Sequence, residues 1–295
     1  MTDIISINAH GFELDVAPDA GGGIARLDWQ GLPLLREALA GAVADRDSLG
    51  LSCFPMTPYI SRITDGVLTW GEVTTHIAPN MAGCSHPLHG VGWRKPWMVM
   101  TQTHSHIALQ LDHTSDADWP WSFTTRQDFT LYADHFKHCL SVTSQDRRSF
   151  PTSLGPHPYF HAKDATITFK ADALWEISGE SLPTHMARPA VVDTLATGVA
   201  ATSLDLDHCF EGWDGQAHIS WPSHAVRVQA ICAIDDTIFP CTRLQLYTPK
   251  GENFFCLEPV TARCVAFTTS NPSRHGVVDL HGETLSITTK IFPLK

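Results

Sequence analysis

The feature that most constrains this chain is a period of two, repeated in short stretches with turn residues between them. In residues 135–143 (HFKHCLSVT), Phe136, His138, Leu140 and Val142 fall on one side of an extended backbone. Residues 106–112 (HIALQLD) place Ile107, Leu109 and Leu111 the same way, and 124–132, 165–170, 224–231 and 285–291 behave alike. Such alternation describes half-buried strands, because successive side chains of a strand point to opposite faces. Many short strands joined by Gly, Pro and Asp turns predict an all-β sandwich or barrel. A 3.6-residue spacing of Leu34, Leu35, Ala38, Leu39 and Val43 predicts one amphipathic helix over 34–43. No internal repeat and no linker-like segment interrupts the pattern, so a single domain over 1–295 is expected.

Charge and composition narrow the function. Lys and Arg number 20 against 31 Asp and Glu, a formal net charge of −11, and no basic cluster is present. A nucleic-acid backbone reader needs the opposite balance, so no nucleic-acid partner is expected. No apolar run approaches the ~18 residues of a membrane span, so no membrane association is expected either. The start, MTDIISINAHGFELD, lacks a basic stretch followed by an apolar core, and the eight cysteines are scattered without a CxxC pair. A cytoplasmic protein with reduced cysteines is the expectation.

Five segments mix His, Arg, Asp or Glu with aromatics and turn residues: 53–66, 86–97, 155–161, 204–215 and 245–261. Aromatic faces beside directional hydrogen-bonding groups suit a sugar, whose C–H faces stack and whose hydroxyls need donors and acceptors. Other chemistries lack their parts. His86/His89 is broken by Pro87 and Gly90, and His135/His138 alternates across a strand, so neither HxxH pair makes a metal site. There is no HExxH, no GxSxG elbow, no GxGxxG and no GxxxxGK[ST], and Gly21-Gly22-Gly23 is too short to cradle a phosphate. Proton transfer by His and a carboxylate remains.

The ordered motifs resemble the aldose 1-epimerase (galactose mutarotase-like) family. Pro58-Tyr59-Ile60-Ser61-Arg62-Ile63 matches its Pro-x-x-Asn-Arg-Ile segment, followed by His89-Gly90 with Trp93 and Trp97 downstream. His157-Pro158-Tyr159-Phe160, Asp207-His208-Cys209-Phe210, Gln245-Leu246-Tyr247-Thr248 and Glu258-Pro259 then follow in the family's order. The resemblance implies a single-domain β-supersandwich with little helix, a monosaccharide substrate, cofactor-free interconversion of α- and β-anomers, and a monomer or homodimer. It makes Glu258 the base at the anomeric hydroxyl and His157 the acid at the ring oxygen. Arg62, His89, Asp207 and Gln245 become sugar ligands and Tyr159 a wall, with Trp93 and Trp97 expected in the same pocket.

One departure is Ser61 where the family carries Asn, which bears on the sugar rather than on the reaction. Arg94-Lys95 reads either as solvated loop charge or as a counterion for an anionic sugar. His86 stays ambiguous. A non-catalytic sugar-binding protein and an epimerase of phospho- or sulfosugars are the alternative functions. Histidine suits an acid near neutral pH and a carboxylate suits a base, which favours the enzyme.

Overall fold

A computed structural model describes residues 4–294. The alternating segments become the strands Phe136–Ser144, His106–His113, Phe123–Leu131, Thr166–Phe169, Ala225–Ile234 and Thr284–Leu294. All six belong to one 10-stranded antiparallel sheet. Within it Phe123–Leu131 and Phe136–Ser144 alternate strictly between buried and half-buried positions. Their register sets Phe129 against His138 and Gln127 against Leu140, so the apolar sets of neighbouring strands share the core face.

The second layer is an 11-stranded sheet. Its middle runs through Cys53–Met56, Gly155–His161, Phe254–Val260, Arg243–Thr248 and Leu206–Glu211, in that spatial order. These strands do not alternate in burial, because both faces are covered. One face presents Phe160, Leu246, Leu257 and Phe210 to the other sheet, all essentially inaccessible. Phe210 meets Phe169 of the facing sheet edge-on at 5.0 Å. Sheets packed face to face in this way bury their inner side chains at a density that penalises any lost methylene. The opposite face of the middle strands lines a cavity.

The predicted helix over 34–43 does not form. Leu34 N–H donates to the Leu27 carbonyl at 2.9 Å and Ala38 N–H to the Ala25 carbonyl at 3.0 Å, so the segment runs extended along the strand Gly23–Trp29. It then enters turns around Gly41, whose φ is 87°. Burial of Leu34, Leu35 and Ala42 from different directions mimics a helical stripe, while Leu39 is 56% exposed. Among the described residues the one α-helix is Ala190–Leu195, opened by Pro189. All eight cysteines are free. Among the described residues no helix is long and apolar enough to cross a membrane.

Candidate active site

Register brings His157 and Glu258 together. Gly155–His161 and Phe254–Val260 pair antiparallel with Tyr159 opposite Cys256. The same register two residues further on sets the imidazole against the carboxyl group. His157 Nε2 lies 3.3 Å from Glu258 Oε1, and the two residues are 8% and 2% exposed. The row continues on both sides. Phe54 is paired with His157 and stacks on its ring at 4.4 Å. Gln245 is paired with Glu258.

Gln245 is oriented by its neighbours. Its amide donates to Asp207 Oδ1 at 2.7 Å, while its carbonyl oxygen accepts from the Cys264 thiol at 3.1 Å. The second oxygen of Asp207 accepts from the Ser181 hydroxyl at 2.5 Å. Asp207 therefore enters the cavity with both oxygens engaged, a fixed acceptor rather than a free charge.

Two loops complete the site. The Thr57–Pro58 peptide is cis, and Ser61 and His89 both adopt left-handed backbone with φ of 57°. Asparagine visits that region more readily than serine, which gives a physical reason for an Asn in the resembling motif. Here Ser61 turns its N–H to His89 Nδ1 at 3.0 Å. A ring nitrogen that accepts leaves the proton of the neutral imidazole on Nε2, so His89 is a hydrogen-bond donor. Its ring sits edge-to-face with His157 at 5.5 Å. Gly90 is required beside it, because a Cβ there would stand 2.3 Å from the Thr57 carbonyl oxygen and φ is 70°. The Asn80 side chain clamps the loop, donating to the Leu88 carbonyl at 2.7 Å and accepting its N–H at 2.8 Å.

Burial sets the protonation states. It depresses the His157 pKa to about 3, with the Arg36 charge adding to the effect. It raises Glu258 well above the ordinary carboxylate range; Asp207 pushes the same way and Arg62 opposes. His89 is held well below its usual value by burial and by its histidine and arginine neighbours. Low dielectric thus disfavours the charged form of each group. Between the two extremes of pH, His157 and Glu258 together hold a single proton, and moving it across the 3.3 Å contact leaves their net charge unchanged.

His157, Cys256 and Glu258 also offer donor atoms within 4.8 Å of one another. Burial raises the Cys256 thiol far above its usual pKa, which keeps it in the protonated form that binds metals weakly.

Arg62, His89, His157, Tyr159, Asp207, Gln245 and Glu258 all line one cavity of about 770 Å³. Trp93 and Trp97 do not. They are buried, with Trp93 packed on Phe54 at 5.8 Å and the Trp97 indole N–H donating to the Gly92 carbonyl, so they support the wall from behind. Arg94 and Lys95 also stay outside the cavity, beside Asp118 at 3.8 Å and Asp116 at 3.0 Å. They are loop charges with local partners. His86 lies off the cavity and accepts the Asp65 N–H at 3.0 Å. Residues not anticipated include Arg36, Phe54 and Ser181, of which only Phe54 sat in a segment marked by its aromatic and polar mixture. A wider groove of about 970 Å³ lies between Arg26, Glu37 and Arg46 and contains no histidine or cysteine. It lacks a proton-transfer pair.

Comparison with known proteins bears on the family and the fold. The aldose 1-epimerase family model matches residues 3–291. The chain is 30% identical over 262 residues to the uncharacterized protein YphB of Escherichia coli K12, covering 86% of each. In structure it is similar to a candidate aldose 1-epimerase of E. coli K12, with a TM-score of 0.87 at 24% identity over 99% of this chain and 98% of the other. It is also similar to a galactose mutarotase-like protein of Clostridium acetobutylicum, with a TM-score of 0.84 at 20% identity over 98% and 94%. A third similar structure is the GalM/aldose epimerase homologue of C. elegans, with a TM-score of 0.80 at 16% identity over 99% of each chain.

Proposed function

The chain belongs to the aldose 1-epimerase family, and from that membership we propose that it interconverts the α and β anomers of an aldose by acid/base ring opening. The observation that carries this reading is the buried 3.3 Å contact of His157 with Glu258, in the wall of a cavity large enough for a monosaccharide. A protein that only binds sugar has no use for an imidazole and a carboxyl group both stripped of water, since each desolvated group costs stability.

Once the pair's proton has crossed the 3.3 Å contact to His157, Glu258 accepts the proton of the anomeric hydroxyl while His157 gives its own to the ring oxygen. The C1–O5 bond breaks and C1 becomes the aldehyde carbon. Rotation about C1–C2 presents the other carbonyl face, and O5 attacks it. The proton on O5 returns to His157, and the former carbonyl oxygen regains one from Glu258. The pair ends as it began, with one proton between them. Each well-placed proton-transfer group contributes roughly 10²–10⁴-fold, and mutarotation already proceeds unaided in water, so two such groups suffice. The His89 Nε2–H, the Arg62 guanidinium and the Gln245 amide supply donors to hydroxyls, Asp207 an acceptor, and Tyr159 an apolar wall.

Polarimetry on freshly dissolved sugars tests the reading. The protein is expected to speed the approach to anomeric equilibrium for at least one aldose, and both Glu258→Gln and His157→Asn to abolish that gain. Rates equal to buffer for every aldose in a broad panel would refute it.

A further inference from the structure

Arg36 is a buried cation of the cavity that the proposed chemistry leaves unused. It is 8% exposed, and the extended backbone around it, held by its own N–H to the Tyr159 carbonyl at 2.8 Å, turns the side chain inward to line the cavity. One terminal nitrogen donates to the Leu51 carbonyl at 2.6 Å. The Nε–H is buried with no hydrogen-bond partner, and no carboxylate pairs with the guanidinium among the described residues. The adjacent Glu37 is exposed, and the Asp47 carboxylate accepts the Leu49 N–H instead. Burying an arginine costs several kcal/mol unless charge or hydrogen bonds compensate it. The faces of Tyr159 and Phe254, 4.1 and 5.3 Å from the guanidinium carbon, compensate part of that cost, but no anion among the described residues pairs with the group and its Nε–H stays unmet, so an oxyanion in the cavity would be its first charged hydrogen-bond partner.

Its position says where that partner sits. The guanidinium carbon lies 4.1 Å from the centre of the Tyr159 ring, and that ring is 5.0 Å from the His157 ring. Arg36 is therefore one aromatic ring away from the acid that protonates O5. In a hexopyranose the carbon next to O5 bears the exocyclic C6, so the substituent at C6 extends from the His157 end of the sugar. The fork of a guanidinium matches a planar or tetrahedral oxyanion by two parallel N–H donations.

We propose that Arg36 forms an oxyanion subsite at the His157 end of the cavity, and that the sugar turned over carries a carboxylate, sulfonate or phosphate at C6. This rests on the anomer-interconverting reading of the same site. It places the counterion at Arg36 and not at the Arg94-Lys95 pair, whose charges meet aspartates outside the cavity. Lys250, exposed at the cavity mouth, adds a second positive charge on the way in.

NMR exchange between anomers tests the proposal with matched sugars: glucose and galactose against their 6-carboxylates, 6-phosphates and 6-sulfonates. At least one oxyanion class is expected to exceed its neutral parent in kcat/KM by about 10- to 100-fold, the size of a charged hydrogen-bond contribution. Arg36→Gln is expected to collapse that ratio towards one, mostly through KM, and Arg36→Lys to restore part of it. Neutral and charged sugars turned over equally well would overturn the subsite. So would an equal loss for both in Arg36→Gln, which marks a mere prop for Tyr159. Thermal melting of each variant separates these results from misfolding. If no sugar is turned over, saturation-transfer NMR decides the two claims separately. Oxyanion sugars binding the wild type but not Arg36→Gln would uphold the subsite and refute the anomer reading. Absence of binding would overturn the subsite as well.

Discussion

The two large sheets solve different problems with the same strands. In the 10-stranded sheet, Phe123–Leu131 and Phe136–Ser144 alternate buried and half-buried residues along their whole length. In the 11-stranded sheet, Cys53–Met56 is buried at every position, and Gly155–His161 and Phe254–Val260 at all but one. Their second face is closed by the cavity, and it carries His157, Tyr159, Gln245 and Glu258, whose polar groups are desolvated. One sheet supplies stability through ordinary packing. The other gives some of it up to hold an imidazole and a carboxyl group where water would serve them better.

Substitutions on the two sheets are expected to separate activity from stability. The largest effects belong to the proposed catalytic pair. Glu258→Gln and His157→Asn are each expected to lower the enzymatic rate at least about 100-fold with the fold retained, as judged by circular dichroism. Glu258→Gln also has a sign on stability. The folded pKa of Glu258 lies above its unfolded value, so folding favours the protonated form. Its contribution is present at pH below the ordinary carboxylate pKa and is lost as pH rises towards the folded value. At neutral pH the amide is therefore expected to melt higher than the wild type, by a margin equivalent to about 1–3 kcal/mol. A lower melting temperature would remove the idea that this sheet gives up stability for function.

The other sheet is expected to behave in the opposite way. Leu140 is fully buried, so Leu140→Ala should lose about 2–5 kcal/mol in urea denaturation while kcat stays near the wild-type value. A large loss of kcat at unchanged stability would break the division of labour. Asp207→Asn retains a hydrogen-bonding group but loses the charge-assisted bonds from Ser181 and Gln245, and is expected to raise KM about tenfold. Arg94→Ala and Lys95→Ala should change kcat/KM by less than about twofold, since surface ion pairs contribute little. A larger drop, confined to charged sugars, would return the counterion role to that loop.

What could be read from sequence follows the same division. All six segments recognised by alternation lie in the 10-stranded sheet, because only a half-exposed sheet writes a period of two into its residues. The middle strands of the other sheet, such as GPHPYFH and FFCLEPV, have no such pattern and were marked only by chemistry. There His157, Glu258, Gln245, Asp207, Arg62, His89 and Tyr159 were legible through ordered motifs, and they line one cavity. Arg36 carried no signal, since an arginine after Leu34-Leu35 looks like the polar side of a helix. The short helix Ala190–Leu195 was equally silent, with two adjacent valines that favour strands on their own. Trp93 and Trp97 misled in the other direction, because an aromatic beside a turn marks wall and core alike.

The claim that His157 and Glu258 work as a buried pair sharing one proton is tested most directly by anomer exchange measured by NMR from about pH 5 to pH 8, with the buffer rate subtracted. His157, depressed to about 3, does not titrate in this range, and burial holds the shared proton on the pair above the ordinary carboxylate pKa. The expected result is exchange well above buffer, level through the usual histidine pKa near 6.5, and absent in Glu258→Gln. Exchange equal to buffer for every neutral and anionic aldose, or an undiminished rate in Glu258→Gln, would contradict it.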